Sequence, residues 1–423
     1  MATNGLGIGR TSGGIKVIAE SVPGAGSSGY MVAVATGSRD ETPGIYGISH
    51  LLEHVVFRET ANRTSFQMSK EIEGAGGAMN AMTGREATAY YAISLKETAG
   101  RAKDLVADIV RNPLIKDSHV EMEKKIVLQE INMVENNPDS YIHDIFAGSV
   151  WKGHQLANEE GGNPESVSAM TSEDLRRYYD EKYGIPNMAV VASGSVDLDE
   201  VVSWAEENFD GMSGKRNRRK RPGKPSGNLA VREWHGDHSY AGMGFRGHAA
   251  DHPDRDAIRL LWVILGSGTS SRLFQKVREE KALVYSVYSS LGQHSDSSSA
   301  GAFFSCTEKN LAETLDSVAS VFREMRSDGL EEGELRRAKN LVKGANIRAY
   351  ESTTDRMGKI MKDILLTGEA QTMEQRLASL ERVTEEDVIR VAGEMLSPDM
   401  LNIALYTCDA ESAGRIDPSH FDF

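Results

Sequence analysis

Residues 47–57 read GISHLLEHVVF, an apolar run that carries three polar side chains, His50, Glu53 and His54. On a helix, positions i, i+3 and i+4 share one face, so the three project together while Ile48, Leu51, Leu52, Val55 and Val56 pack elsewhere. Two imidazoles one turn apart can share a metal ion, and the carboxylate beside them can hold a water. A catalytic zinc needs three protein ligands and one open position, so a third ligand must come from another element. The predicted helix over 118–136 offers Glu121, Glu123 and Glu130 within EMEKKIVLQEI. Glu123 and Glu130 stand seven apart, two turns on one face. Glu130 is the odd carboxylate in the mostly apolar KIVLQEI; by composition it reads as a ligand or as an exposed helix acid.

The elements that must position these groups belong to a chain too long for one compact core. At 423 residues, two or more domains are expected. No apolar run approaches the roughly 20 residues of a membrane span. The first residues, MATNGLGIGRTSGG, lack the apolar core of a signal peptide, so a cytoplasmic location is expected. The two cysteines, Cys306 and Cys408, lie far apart in sequence and argue against a disulfide framework and a cysteine-based metal site. A net charge of −14 argues against general nucleic-acid binding and would weakly suit a basic substrate. One stretch breaks the acidic pattern: residues 211–228 carry seven basic side chains and no acid. They read as a solvated linker, with docking to RNA or another acidic surface as the alternative.

The halves flanking this stretch look like copies. AYYAISLKETAGRAKDLVADIV (89–110) lies over AFFSCTEKNLAETLDSVASVF (302–322), and ISHLLEHVVF lies over AIRLLWVILG (257–266). In the second copy Arg259, Trp262 and Val263 replace His50, Glu53 and His54. The apolar frame survives without the polar trio, so the trio is not needed to pack the helix. Strands are predicted at 16–22, 29–38, 88–95 and 187–196, then at 239–247, 285–292, 301–308 and 402–408. Helices are predicted at 98–111, 118–136, 171–183 and 197–208, the third opened by the cap signal Thr171–Ser172. The expected fold class is α+β: a domain at 1–210, a linker at 211–228 and a homologous domain at 229–423. Each domain is expected to carry a mainly antiparallel sheet covered on one face by helices.

The spacing H-x-x-E-H is the inverzincin pattern of metal-assisted peptide hydrolysis. Around it, the whole chain resembles the pitrilysin (M16) family of zinc peptidases, especially the small two-domain members related to the mitochondrial processing peptidase. Glu130, 76 positions beyond His54, matches the family's third ligand, and Glu123 matches its supporting carboxylate. GGAMNAMTGREATAYY (76–91) matches the strand that pairs with substrate, with Asn80 and Ala81 at substrate-contacting positions. TSSRLFQKVREEKALVYSV (269–287) matches the segment that carries an arginine and a tyrosine, here Arg278 and Tyr285.

The resemblance implies a LuxS/metallohydrolase-like fold and one Zn²⁺ per chain, held by His50, His54 and Glu130, with Mn²⁺ or Co²⁺ as substitutes. Glu53 is then the general base and Glu123 orients a ligand. Arg278 and Tyr285 are donors to the developing oxyanion, with Arg278 holding a substrate carbonyl in register as the alternative; without the resemblance, Arg278 reads as a surface partner of Glu279 or Glu280. A homodimer is expected in which Arg278 and Tyr285 complete the partner's site, with a heterodimer as the alternative. The substrate class is short or unfolded peptides in a closed chamber. A non-catalytic scaffold subunit and a dedicated leader-peptide protease are the competing readings. The remaining histidines carry less weight. His235 and His238 are expected on opposite faces of a first strand of the second half. His119, His143, His154, His248, His252, His294 and His420 are read as isolated surface or capping groups.

Overall fold

The computed structural model describes residues 5–418 and residue 421. The chain divides into two compact units. One takes the described residues of Met1–Asn132, Asn158–Lys220 and Ile347–Thr372; the other takes those of Met133–Ala157, Arg221–Asn346 and Met373–Phe423. The units are therefore not the contiguous halves 1–210 and 229–423.

The first unit holds a six-stranded sheet of β1 (Gly5–Arg10), β2 (Lys16–Ser21), β3 (Ser27–Val34), β4 (Ala78–Thr83), β5 (Thr88–Leu95) and β6 (Met188–Gly194), ordered β1-β2-β6-β3-β5-β4. β2 and β6 run parallel, and the other pairs are antiparallel. β6 reads MAVVASG and is buried at every position, so both faces of the sheet must be covered. On one face Tyr30, Val32, Val34, Tyr90 and Ala92 pack with residues of helices α1 (Ile48–Val56) and α3 (Ala99–Arg111), α2 (Ser65–Gly74) lying between them in sequence. On the other, Ile18, Met31, Ala33 and Val191 meet Met357, Ile360 and Ile364 of the helix Thr353–Thr367.

The second unit holds β7 (Asn228–Glu233), β8 (His238–Gly247), β9 (Ser286–Gln293), β10 (Ser298–Thr307) and β11 (Asn402–Thr407), ordered β7-β11-β8-β10-β9. Strand for strand this repeats β2-β6-β3-β5-β4, including the single parallel pair, β7 with β11. Met243, Phe245, Ala302 and Phe304 pack against Leu261, Phe322 and Val391 on one face. Phe303, Ala404 and Tyr406 meet Ile142, Ile145 and Phe146 on the other. These last three belong to α5 (Pro138–Val150), which follows α4 (Asp117–Glu135) in the first half of the sequence. Each sheet is thus covered on both faces, not one, and each takes its second layer from the other half of the sequence. An apolar helix stripe shows that a helix is buried, not which sheet buries it.

The basic stretch is not wholly a solvated linker. Arg219 donates to Asp40 Oδ1 and Oδ2 at 2.9 and 2.7 Å, to Glu86 Oε1 at 3.2 Å, and to the carbonyls of Ala35 and Glu86. Buried Arg39 donates to Glu86 at 2.6 Å and to the carbonyl of Lys220 at 2.8 Å. The other six basic side chains of the stretch remain exposed. Among the described residues no helix is long and apolar enough to cross a membrane.

Candidate metal centre

Helix α1 begins at Gly47, whose φ of 91° favours glycine and whose Cβ, if present, would lie 2.5 Å from the carbonyl oxygen of Gly161. The orphan N–H groups of this end are met by Glu41, which accepts from Gly47 N at 2.7 Å and Ser49 N at 2.9 Å. Burial pushes the Glu41 carboxyl up to about 7, against the pull of those two bonds. Ile48, Leu51, Leu52, Val55 and Val56 are buried, so the helix is anchored by its apolar face. The opposite stripe carries His50, Glu53 and His54, all half-buried.

Helix α4 brings Glu123 and Glu130 to this stripe. His50 Nε2 and His54 Nε2 lie 3.3 Å apart, and Glu130 Oε2 lies 3.6 Å from the first and 3.4 Å from the second. A tetrahedral zinc with bonds of about 2.0–2.1 Å holds its donors about 3.3–3.4 Å apart. The three atoms therefore already form one face of such a tetrahedron and leave a fourth vertex open. Burial, and then the neighbouring His54, push His50 down to about 4, so its ring is neutral and free to ligate at pH 7. For His54, burial acts downward, but the bond to Glu123 and the charges of Glu130, Glu123 and Glu53 outweigh it and raise the pKa.

Glu123 is buried and accepts from His54 Nδ1 at 2.9 Å and from Arg58 Nε. It thereby fixes which nitrogen of His54 faces Glu130 and His50. His50 has no counterpart: its Nδ1 is buried without a hydrogen-bond partner among the described residues. Burial raises the Glu53 carboxyl, while a hydrogen bond from the Thr83 hydroxyl and the charge of His54 hold it down.

Sequence reasoning missed Arg58, Thr83 and Glu41. Arg58 had a signal, since it stands four residues beyond His54. Thr83 had a weaker one, two residues past Ala81 on an alternating strand. Glu41 had none, because its carboxylate comes from a loop. Asn80 and Ala81 lie on β4, which pairs with β5 and among the described residues forms an edge of its sheet. Asn80 is exposed, and its Oδ1 accepts from the Ala81 N–H at 2.8 Å.

Arg278 and Tyr285 belong to the second unit. Arg278 sits in a π-helical turn, Phe274–Glu280. Its guanidinium lies 4.6 Å from the Phe274 ring centre and 5.3 Å from that of Tyr285, and its Nε is 3.7 Å from Glu279. Tyr285 is 84% exposed.

Other histidines depart from expectation. His235 lies in the connection between β7 and β8, and only His238 is in a strand. His143 is half-buried, bonded to the Tyr288 hydroxyl at 2.9 Å and packed 4.1 Å from Phe303. His294 is buried against Trp151. His154 does cap, its Nδ1 accepting from Leu156 N, and His119 Nδ1 meets the Leu114 carbonyl oxygen. His248 and His252 are not isolated but stacked on each other. His420 lies outside the described residues.

Comparison with known proteins follows the same outline. A family model described as Insulinase (Peptidase family M16) matches residues 16–162, and one described as Peptidase M16 inactive domain matches residues 169–342. An uncharacterized zinc protease of Mycobacterium leprae is 34% identical over 407 residues, covering 94% of this chain and 91% of the relative. A protease from Helicobacter pylori superposes with a TM-score of 0.88 at 21% identity, over 96% of this chain and 100% of its own. A peptidase M16 inactive domain from Pseudomonas fluorescens gives 0.88 at 19% identity, over 95% and 98%. The two solved structures share the fold.

Proposed function

Because this chain belongs to the M16 (pitrilysin) family of peptidases, we propose that it is a zinc-dependent endopeptidase acting on short or unfolded peptides. The observation that carries the reading is the donor triangle of 3.3, 3.4 and 3.6 Å with Glu53 on the same stripe of α1. His50, His54 and Glu130 would hold the metal. When bound, zinc supplies Lewis acidity, which acidifies water and polarises a peptide carbonyl. Glu53 takes the proton of the attacking water and returns it to the leaving amine. The Thr83 hydroxyl donates to Glu53 Oε2, a bond that favours the ionised carboxylate this role requires. Glu123 holds His54 in the ligating orientation.

Substrate adds to the free edge of β4, where backbone bonds tolerate many sequences. A peptide that takes the Ala81 N–H displaces the Asn80 amide from it. Arg278 and Tyr285 complete the site of a second copy in a homodimer, an assignment supported by the outward position of Tyr285; a homologous chain could take that place. The inactive-domain relative supports a second reading, a scaffold subunit without catalysis.

The test is metal content with hydrolysis of a quenched fluorogenic peptide, wild type against Glu53→Gln. The variant is expected to keep its metal and lose about 10²–10⁴-fold in rate. A variant that cleaves like wild type removes Glu53 from the reaction, and a wild type that binds no metal gives the scaffold reading.

A further inference from the structure

Among the described residues a second group places metal-ligating atoms within 4.8 Å of one another: His248, His252 and Asp254. They lie in the connection between β8 and the helix Arg255–Gly266, the second-half counterpart of α1. The imidazoles are stacked, with ring centres 4.0 Å apart and planes 15° from parallel. Carboxylates flank the stack on both sides. Asp254 Oδ2 is 3.7 Å from His252 Nδ1, and Glu394 Oε2 is 3.9 Å from His248 Nε2.

We propose that His248, His252 and Asp254 form a second, solvent-open site for a divalent transition metal of the zinc class, in which the metal competes with Arg390 for Asp254. Two imidazoles and one carboxylate suit zinc, nickel or copper better than calcium or magnesium. The donors, now within 4.8 Å of one another, must close by up to about 1.5 Å to reach the 3.3–3.4 Å spacing of a tetrahedral site, and one ring must turn out of the stack, because the in-plane lone pairs of parallel imidazoles do not converge on one ion. Residues 248–254 have no regular secondary structure that would resist this. His252 Nδ1 accepts the Asp254 N–H at a long 3.2 Å, a weak bond to exchange for a metal. Arg390 now holds Asp254 at 2.6 and 2.9 Å. On release it keeps Glu394 at 3.4 Å and Asp387 at 3.5 Å. The site is therefore weaker than the one between α1 and α4, whose donors already stand at ligand spacing, and its occupancy ties the connection to free-metal level. Nothing in this inference depends on peptidase activity.

The test is titration of metal-free protein with ZnCl₂ against a chromophoric chelator. Wild type is expected to take two equivalents, the second at least tenfold weaker. Glu130→Ala is expected to abolish only the tight equivalent, and His252→Ala or His248→Gln only the weak one, each with an unchanged far-UV spectrum. Arg390→Ala is expected to tighten the weak equivalent several-fold by freeing Asp254, a response that an adventitious histidine pair lacks. Loss of the tight equivalent alone bears only on the site of His50, His54 and Glu130, whereas a protein that keeps no equivalent once Glu130 is replaced by Ala overturns the proposal. So does a weak equivalent that survives both histidine variants, or one that Arg390→Ala does not tighten.

Discussion

Replacing Glu123 with Gln tests whether this buried carboxylate orients a ligand or serves as one. The side chain keeps its volume and loses its charge. Glu123 Oε2 now accepts from His54 Nδ1 at 2.9 Å, and Oε1 accepts from Arg58 Nε. A glutamine has one acceptor oxygen and cannot meet both donors, so either His54 or Arg58 is left with a poorer partner. Loss of such a support to a ligating histidine typically weakens metal binding about 10–100-fold. That corresponds to about 1.4–2.7 kcal/mol. Loss of the Glu130 ligand itself should cost more. The assay is zinc affinity by chelator competition at fixed pH, wild type against Glu123→Gln and Glu130→Ala, with circular dichroism to confirm folding. An unchanged dissociation constant would refute an orienting role for Glu123. A loss as large as that of Glu130→Ala would make Glu123 a ligand and the triangle incomplete.

Three further outcomes are expected. Thr83→Val removes a hydrogen bond that favours ionised Glu53, so the carboxyl rises further and the acid limb of the kcat/KM profile moves to higher pH; an unmoved limb removes Thr83 from the site. Asp108→Asn breaks a buried carboxylate that accepts from Thr60 and Asn62 at 2.6 Å and from Arg63 and Asn112 at 2.9 Å, at a cost of about 3 kcal/mol in urea unfolding. Burial pushes the Asp108 carboxyl up, but these bonds outweigh it and hold it below its usual value. Its stabilisation is complete above the ordinary aspartate value of about 3.9 and drains as pH falls through the depressed native value, so Asp108→Asn should flatten the acid limb of stability against pH. Arg219→Ala strips Asp40 and Glu86 of a shared guanidinium and should cost about 1.5–3 kcal/mol, with faster tryptic cleavage within 215–224. Unchanged cleavage would mean that the segment is not held in solution.

The sequence by itself determined whatever depends on neighbours along the chain. The i, i+3, i+4 spacing of His50, Glu53 and His54 set one stripe of one helix, and the seven-residue spacing of Glu123 and Glu130 set another. The internal copy was legible because each half repeats its own alternation and amphipathic period, and the matching strand orders bear it out. Tertiary structure decided what depends on groups distant in sequence. It decided that Glu130 rather than Glu121 meets the histidines, that Arg58 shares Glu123 with His54, and that Arg219 is pinned while its basic neighbours are exposed. It also decided that α5 and the helix Thr353–Thr367 cover sheets built from the opposite half of the sequence. The physical reason is common to all of these. A side chain's period records that it is buried or grouped, but the partner is chosen by packing, and packing is a property of the folded chain.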